Sequence, residues 1–343
     1  MMNFTDGEQM KMFEQFKEKF DGKTVLITGG AGFIGSNLAH RLVELGARVR
    51  VLDNLITGHR KNIEPLIENG LEFIEGDIRD FETCTKAMVG VDFISHQAAL
   101  GSVPRSIVEP LASHDHNVNG TVNILCAAVN ANIPRVVMAS SSSVYGAEET
   151  LPKIEHKTGD LLSPYAATKS IGEIYGQTMN EVYGIDVVAM RYFNIFGPRQ
   201  DPDGPYAAVI PKFIEILKNG GSPQIFGDGL QSRDFTYVDN AVFANLSAMA
   251  KEENVGFTCV NIACGDRLTV IDLVEYLKQS LAKYDSKVAD IVPELGEKRP
   301  GDILHSHANI EKATEVFGYR VMVDVEEGIQ KTVDWFIEQS TFH

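Results

Sequence analysis

Cysteine is scarce in this chain. The four present, Cys84, Cys126, Cys259 and Cys264, lie far apart in 343 residues and follow no zinc-type spacing. That excludes a disulfide-stapled scaffold and a cysteine-built metal site, and it predicts reduced thiols in a core. No apolar run reaches the ~20 residues that cross a bilayer. Residues 1–20, MMNFTDGEQMKMFEQFKEKF, are polar and mixed in charge, unlike a secretory leader. They are expected to form a short amphipathic helix outside the first strand, in a cytoplasmic protein with no membrane partner. No block of Lys or Arg occurs, and 31 basic residues against 47 acidic ones leave a net charge of −16. That balance excludes nucleic acid as the main partner and means that an anionic small molecule would need a few locally placed cations. Repeats and low-complexity tracts are also missing. A metal site is not expected: His114 and His116 in Ser-His-Asp-His lack a clustered third ligand and read as the start of a helix. His305 and His307 read as surface or pocket polar groups, and the lone Trp335 as packing for a terminal helix.

What is present is glycine in one particular place. Thr24-Val-Leu-Ile-Thr28 reads as a strand buried on both faces. Gly29, Gly32 and Gly35 follow at intervals of three. The first permits a sharp turn, the second lets backbone N–H groups approach a pyrophosphate, and the third lets the next helix pack on the strand. Phe33 and Ile34 open that helix, whose N-terminus offers free N–H groups and a positive dipole end. Arg48-Val-Arg-Val-Leu52 is a second strand and Asp53 ends it. A carboxylate there accepts both ribose hydroxyls of an adenosine and repels a 2′-phosphate, so the cofactor read from these residues is NAD.

Strand-like and helical runs alternate from there, the pattern of a doubly wound parallel α/β sheet. Further strands are expected at Leu71–Glu75, Asp92–His96, Arg135–Ala139, Asp186–Arg191 and Val260–Ala263. Small or polar residues follow several of these strands, where ligands of open α/β sheets sit. Asp77 and Ile78 are placed to flank an adenine, and Ala98 and Ala99 to let a cofactor lie close. Residues 193–236 change texture, with many Gly, Pro and Asp turns, and 266–343 read as a few helices among irregular segments. The expected division is a nucleotide domain, 1–192 plus 237–264, and a smaller, mostly α lobe, 193–236 plus 265–343, with a cleft between them.

Ser163-Pro-Tyr-Ala-Ala-Thr-Lys169 opens a helix expected to end near Tyr183. Tyr165 and Lys169 are four residues apart on it and share a face. A free tyrosine, with a pKa of about 10, is a poor base at neutral pH. A nearby ammonium and a cationic nicotinamide would lower that value. A serine from Ser140-Ser-Ser-Ser143, at the end of the fifth strand, could bond the same substrate oxygen.

The order of glycine turn, strand-end serines and Tyr-x-x-x-Lys resembles the extended short-chain dehydrogenase/reductases, and the resemblance runs over nearly the whole chain. Gln97–Ser106 (QAALGSVPRS), Arg191–Gly197 (RYFNIFG), Tyr206–Pro211 (YAAVIP) and Arg299-Pro-Gly-Asp302 resemble UDP-hexose 4-epimerases more closely. The bacterial subgroup acting on UDP-N-acetylglucosamine is the nearest match. The resemblance implies Ser141, Tyr165 and Lys169 as catalytic residues. It implies cofactor contacts from the glycine turn, Asp53, Asn54, Gly58, Asp77, Ile78, Gln97, Ala98, Ala99, Asn117, Tyr165, Lys169 and Tyr192. It implies substrate contacts from Ser102, Val103, Ser141, Ser142, Ser143, Asn194, Ala208, Val209, Lys212, Gln224, Phe226, Arg233, Arg299, Asp302 and Ser306. A homodimer through His114–Asn130 and Tyr165–Tyr183 is also implied. Glucose/galactose epimerases carry a cofactor-touching lysine where this chain has Gly101, and a large tyrosine where it has Ser306. Both differences favour N-acetyl sugars. A UDP-uronate 4-epimerase is the alternative. A dehydratase or decarboxylase carries an Asp-Glu pair after the catalytic Ser/Thr, whereas Ser142 and Ser143 follow here, and intact Ser141, Tyr165 and Lys169 count against an inert NAD sensor.

Overall fold

The computed structural model describes residues 4–203, 207–297 and 304–341. Seven parallel strands form the main sheet: β1 Thr24–Thr28, β2 Arg48–Asp53, β3 Glu72–Glu75, β4 Phe93–His96, β5 Arg135–Ser141, β6 Asp186–Tyr192 and, after four short strands, β11 Phe257–Ile262. The spatial order is β11-β6-β5-β4-β1-β2-β3. The order reverses between β1 and β4, which leaves a crevice beyond their carboxyl ends.

The strands are apolar on both sides because they separate two cores. Successive side chains of a strand point to opposite faces. Val25 and Ile27 of β1, Val137 of β5 and Val188 of β6 belong to one core. Leu26, Val136 and Val187, their neighbours in the chain, belong to the other. The first core is closed by Phe33–Glu44 and Val238–Ala250, the second by Phe81–Ala87, Gly120–Asn130 and Pro164–Tyr183. This is the expected doubly wound α/β architecture.

The N-terminal segment makes two helices, Asp6–Glu14 and Lys17–Phe20, where one was expected. Phe13, Phe16 and Phe20 are buried. Phe16 meets Phe243 edge-on with centroids 5.5 Å apart, and Phe20 meets Phe93 of β4 at 5.1 Å.

A smaller assembly of two-stranded ladders follows. β7 Ile195–Phe196 pairs with β10 Thr236–Tyr237, β8 Gln224–Phe226 with β13 Glu294–Gly296, and β9 Ser232–Arg233 with β12 Leu268–Thr269. Helices Val209–Lys218, Val270–Leu281, Glu311–Phe317 and Val325–Thr341 accompany them. Trp335 lies on the last and meets Phe336 edge-on at 5.0 Å. Asp234 joins three stretches: its carboxylate accepts from Cys264 N at 2.9 Å, Gly265 N at 3.1 Å and Ala308 N at 3.2 Å.

His114 and His116 do not start a helix. His114 ends Pro110–His114, and His116 lies in a π-helical turn, Asp115–Asn119, that runs on into Gly120–Asn130. The exposed apolar side chains of this region are Val103, Ile107, Val108 and Leu111 on one pair of helices and Ile174, Tyr175, Val182 and Tyr183 on Pro164–Tyr183, rather than along Gly120–Asn130. All four cysteines are free. Among the described residues no helix is long and apolar enough to cross a membrane, and no cluster of three His, Cys, Asp or Glu side chains could hold a metal.

Candidate active site

A cleft of about 630 Å³ opens at the carboxyl ends of the strands, along the line where the strand order reverses. The glycine turn makes one wall. Gly29 has φ +69°, and a Cβ there would lie 2.6 Å from Ala98 N. A Cβ on Gly35 would collide with the Gly29 carbonyl oxygen. Gly32 sits at the N-cap of Phe33–Glu44 with no side chain capping it, so the first N–H groups of that helix face the cleft.

Asp53 ends β2 and is 7% exposed. Its carboxylate accepts from Ala31 N at 2.9 Å and Leu55 N at 2.8 Å. Burial pushes its carboxyl above the ordinary value, and these backbone N–H groups oppose the rise. Gly58 packs so close that a Cβ would lie 2.9 Å from Asp53 Oδ2.

The residues present fit a dinucleotide. The backbone cradle admits no side chain at Gly29 or Gly35, and a buried polar atom beside the cleft lacks a partner. That atom is Nε2 of His116. Nδ1 of the same ring is 2.9 Å from the Ala112 carbonyl, which can only accept, so Nδ1 carries a proton and donates there.

Tyr165 and Lys169 stand in the first two turns of Pro164–Tyr183, which Ser163 caps through the Ala166 N–H at 3.1 Å. The Ser106 hydroxyl accepts from Tyr165 N at 3.0 Å and fixes the start of the helix. Lys169 Nζ donates to the Ala139 carbonyl at 2.8 Å and lies 6.0 Å from the Tyr165 ring centroid. Burial pushes the Tyr165 phenol above its ordinary value, and a hydrogen bond with Ser141 opposes this. The lowering expected from Lys169 is absent from the protein alone: burial sets the direction, and Ser141 is the group that opposes it. Burial also pulls Lys169 down to about 8, with Glu173 opposing.

The four serines divide. Ser141 accepts from Ser143 N at 3.1 Å and from the Ser143 hydroxyl at 2.9 Å, and it lines the cleft. Ser140 points its hydroxyl to Glu173. Beneath them His96 bridges Thr28 and Thr121 at 2.6 and 3.0 Å, and burial with the Lys169 charge pulls it to about 3, so it is neutral. Gln97, Tyr192 and Asn245 form a further network: Tyr192 donates to Gln97 Oε1 at 3.2 Å and accepts from Asn245 Nδ2 at 2.7 Å.

The cleft gathers Gly29, Gly32, Phe33, Ile34, Gly35, Asp53, Asn54, Ile78, Gln97, Ala98, Ala99, Tyr165, Lys169 and Tyr192 from the expected cofactor set, and Ser141, Asn194 and Ala208 from the substrate set. Others stand behind its walls. Asp77 accepts from Asn54 Nδ2 at 2.8 Å and pairs with Arg79. Asn117 holds both the N–H and the carbonyl of Leu100, at 2.7 and 3.1 Å, and so fixes the loop after β4. Ser102 caps the helix that Val103 begins, and Ser142 starts the turn after β5. Val209, Lys212, Gln224, Phe226, Arg233 and Ser306 do not line the described cleft. Arg233 donates to the Ser232 and Leu304 carbonyls, and Ser306 N donates to Ser232 O at 3.0 Å. Arg299 and Asp302 lie outside the described residues.

Several cleft residues were not foreseen, among them Thr57, His59, Arg105, His116, Gln200 and Asp201. His59 Nε2 meets Asp201 Oδ2 at 2.9 Å, joining the loop after β2 to the segment after β7. Thr57 and His59 flank the expected Gly58, so extending the turn by one residue on each side would have found them. Nothing local pairs His59 with a residue 142 positions away.

A model of the NAD dependent epimerase/dehydratase family matches residues 25–263. The UDP-glucose 4-epimerase of Mycolicibacterium smegmatis is 36% identical over 92% of this chain and 99% of its own length. UDP-glucuronate 4-epimerase 4 of Arabidopsis thaliana is 34% identical over 92% of this chain and 76% of its own. The solved structure of UDP-N-acetylglucosamine 4-epimerase from Methanobrevibacter ruminantium M1, in complex with UDP-N-acetylmuramic acid, is 39% identical with a TM-score of 0.87, covering 93% of this chain and 100% of that one. The chain belongs to the NAD dependent epimerase/dehydratase family, its cofactor is NAD, and within the family it groups with UDP-sugar 4-epimerases.

Proposed function

We propose that this member of the NAD dependent epimerase/dehydratase family is an isomerase that interconverts UDP-N-acetylglucosamine and UDP-N-acetylgalactosamine at C4. The observation that carries this reading is the end of β5. Ser141 lines the cleft together with Tyr165 and Lys169, and the two residues that follow it, Ser142 and Ser143, are serines where a dehydratase carries an Asp-Glu pair.

NAD, when bound, supplies reversible removal of the C4 hydrogen with its electron pair. The chain's own work is binding and proton handling. Tyr165, as phenolate, takes the proton of the 4-hydroxyl, with Ser141 bonded to the same oxygen. After the hexose has turned over on its diphosphate tether, Tyr165 returns the proton on the other face. Lys169 stabilises the phenolate and holds the nicotinamide ribose. Asp53 binds the adenosine ribose: an ionised carboxylate has about four lone-pair positions, so two remain beside the bonds from Ala31 and Leu55. Asn194, Ala208, Val209, Lys212, Gln224 and Phe226 hold uridine and sugar. Arg233, Arg299 and Asp302 hold the diphosphate and ribose, where a guanidinium fork meets phosphate oxygens in pairs. These roles divide the chain into the nucleotide domain and sugar lobe expected above.

The N-acetyl preference is supported by Gly101, around which a Cβ would meet nothing within 4 Å, by the small Ser306, and by likeness to an epimerase that accepts N-acetylated sugars. A UDP-uronate substrate is the second reading, favoured by Arg105 in the cleft and by likeness to glucuronate 4-epimerases. Incubating the protein with each UDP-sugar and reading C4 epimers by NMR separates the two; faster turnover of UDP-glucuronate would replace the first reading with the second. The exposed Leu111 and Ile174 faces also support a homodimer, and Ile174→Asp is expected to yield monomers by size-exclusion chromatography.

A further inference from the structure

Behind the catalytic pair lies a buried polar cluster that the proposed chemistry does not use. Glu173 is one turn beyond Lys169 on the same helix, so the two side chains lie on one face. Glu173 Oε1 accepts from the Ser140 hydroxyl at 2.6 Å and from Arg191 Nε at 2.9 Å, and Oε2 accepts from Arg191 Nη2 at 2.7 Å. Ser140, Glu173 and Arg191 are 3%, 8% and 5% exposed. Arg191 also donates to the Glu155 carbonyl at 2.9 Å and lies 4.9 Å over the Tyr145 ring. The helix thus grips two consecutive residues of β5: Lys169 holds the Ala139 carbonyl and Glu173 holds the Ser140 hydroxyl. The next residue is Ser141.

We propose that Glu173 is a positioning residue: its carboxylate keeps the Lys169 ammonium beside the Tyr165 phenol, and its bond to Ser140 sets Ser141 in register with both. The inference rests on the 4-epimerase reading. The physical reason is desolvation. An ammonium removed from water sheds its proton readily unless an opposite charge stays close. Burial lowers Lys169, and Glu173 is the group that opposes this. The other groups facing Lys169 offer no such help. His96 of β4 is neutral, and Tyr165 on the same helix needs the cation for itself. A neutral side chain at 173 would remove the counter-charge and leave the buried Arg191 guanidinium without its carboxylate, so Lys169 would lose its proton at lower pH.

The test is the pH profile of kcat for UDP-N-acetylglucosamine in the NAD-loaded full chain. Glu173→Gln is expected to move the alkaline limb down by about one pH unit and to lower kcat at pH 8 by about 10-fold, with KM within about twofold. Ser140→Ala, which leaves the charges in place, is expected to lower kcat with the limb unmoved. Glu173→Gln with Arg191→Gln removes both charges together; its limb should fall between those of the wild type and Glu173→Gln, and it decides the matter where the single variant does not fold. A uniform loss of kcat in the Glu173 variants with the alkaline limb in place would make Glu173 merely structural and overturn the proposal. Failure of the wild type on every UDP-sugar would instead refute the 4-epimerase reading. NADH affinity against pH, read by fluorescence, then carries the same test: Glu173→Gln must lose affinity from a lower pH than the wild type, and coincident curves overturn the proposal.

Discussion

At the nucleotide end of the cleft the walls are mostly backbone. The turn after β1, the start of Phe33–Glu44 and the loop after β4 meet so closely that a single Cβ on Gly29 or Gly35 would collide with another main chain. Such a wall is held by the parallel sheet, whose register is set along seven strands with a core on each face. In the smaller assembly, proposed to bind the sugar, the pieces are ladders of two or three residues per strand, held by single side chains such as Asp234. Short ladders bury little and leave their positions to side-chain packing. On the proposed function, the first region would define its ligand tightly, and the second would change its ligand by changing one side chain. Substitutions at the two ends should differ in kind as well as in size.

The largest effect is expected from Gly35→Ala. A methyl there cannot be absorbed, since the Gly29 carbonyl sits in the tight turn that directly follows the buried strand β1. Purified protein should lose its bound nicotinamide, read by absorbance, along with turnover and several degrees of Tm. A variant that keeps NAD would break the contrast at its rigid end.

Tyr165→Phe, where the two ends meet, should cost about 10²–10⁴ in kcat, the usual span for a lost general base. UDP binding by calorimetry should stay nearly unchanged, and normal turnover would overturn the mechanism.

Asp53→Ala removes the acceptor of two backbone N–H bonds as well as the proposed ribose contact. NAD affinity is expected to fall by about 100-fold, since each hydrogen bond to a charged group is worth about 1.5–3 kcal/mol. NADP affinity should fall far less, and equal use of NADP by the unsubstituted protein would refute the carboxylate's role.

The smallest and most selective effect is expected from Ser306→Tyr at the loosely built end. Overpacking of about 1–3 kcal/mol translates to about 10–100-fold in kcat/KM for the N-acetyl pair. UDP-glucose and UDP-galactose should be spared. A substitution that shifts neither ratio would remove Ser306 as the gate.

The legibility of the two ends differs as their construction does. Gly29, Gly32, Gly35 and Asp53 lie within 25 consecutive residues, so spacing alone pointed to residues that line one wall of the cleft. Tyr165 and Lys169 were legible for the same reason, being one helical turn apart. The division of labour among the four serines was not, because consecutive residues of a strand face opposite ways and only β5's place in the sheet decides which way. That geometry turns the Ser140 hydroxyl to Glu173 and pairs the Ser141 hydroxyl with Ser143, although both residues line the cleft. Nor was the protonation of Tyr165. Its sequence neighbour Lys169 suggested a lowered phenol, but burial depends on the whole surrounding fold and pushes the phenol up.

What the sequence determined by itself was local chemistry of short period: the strand–turn–helix that cradles a dinucleotide, the alternation that builds a doubly wound sheet, and the Tyr-x-x-x-Lys face. Tertiary structure alone decided which distant groups share a dielectric. It paired His59 with Asp201, left His116 Nε2 without a partner beside the cleft, and paired Glu173 with Arg191 and Ser140. Hydrogen bonds and charges act across space at 3–6 Å, and chain separation carries no information about that distance until the sheet and its helices have packed.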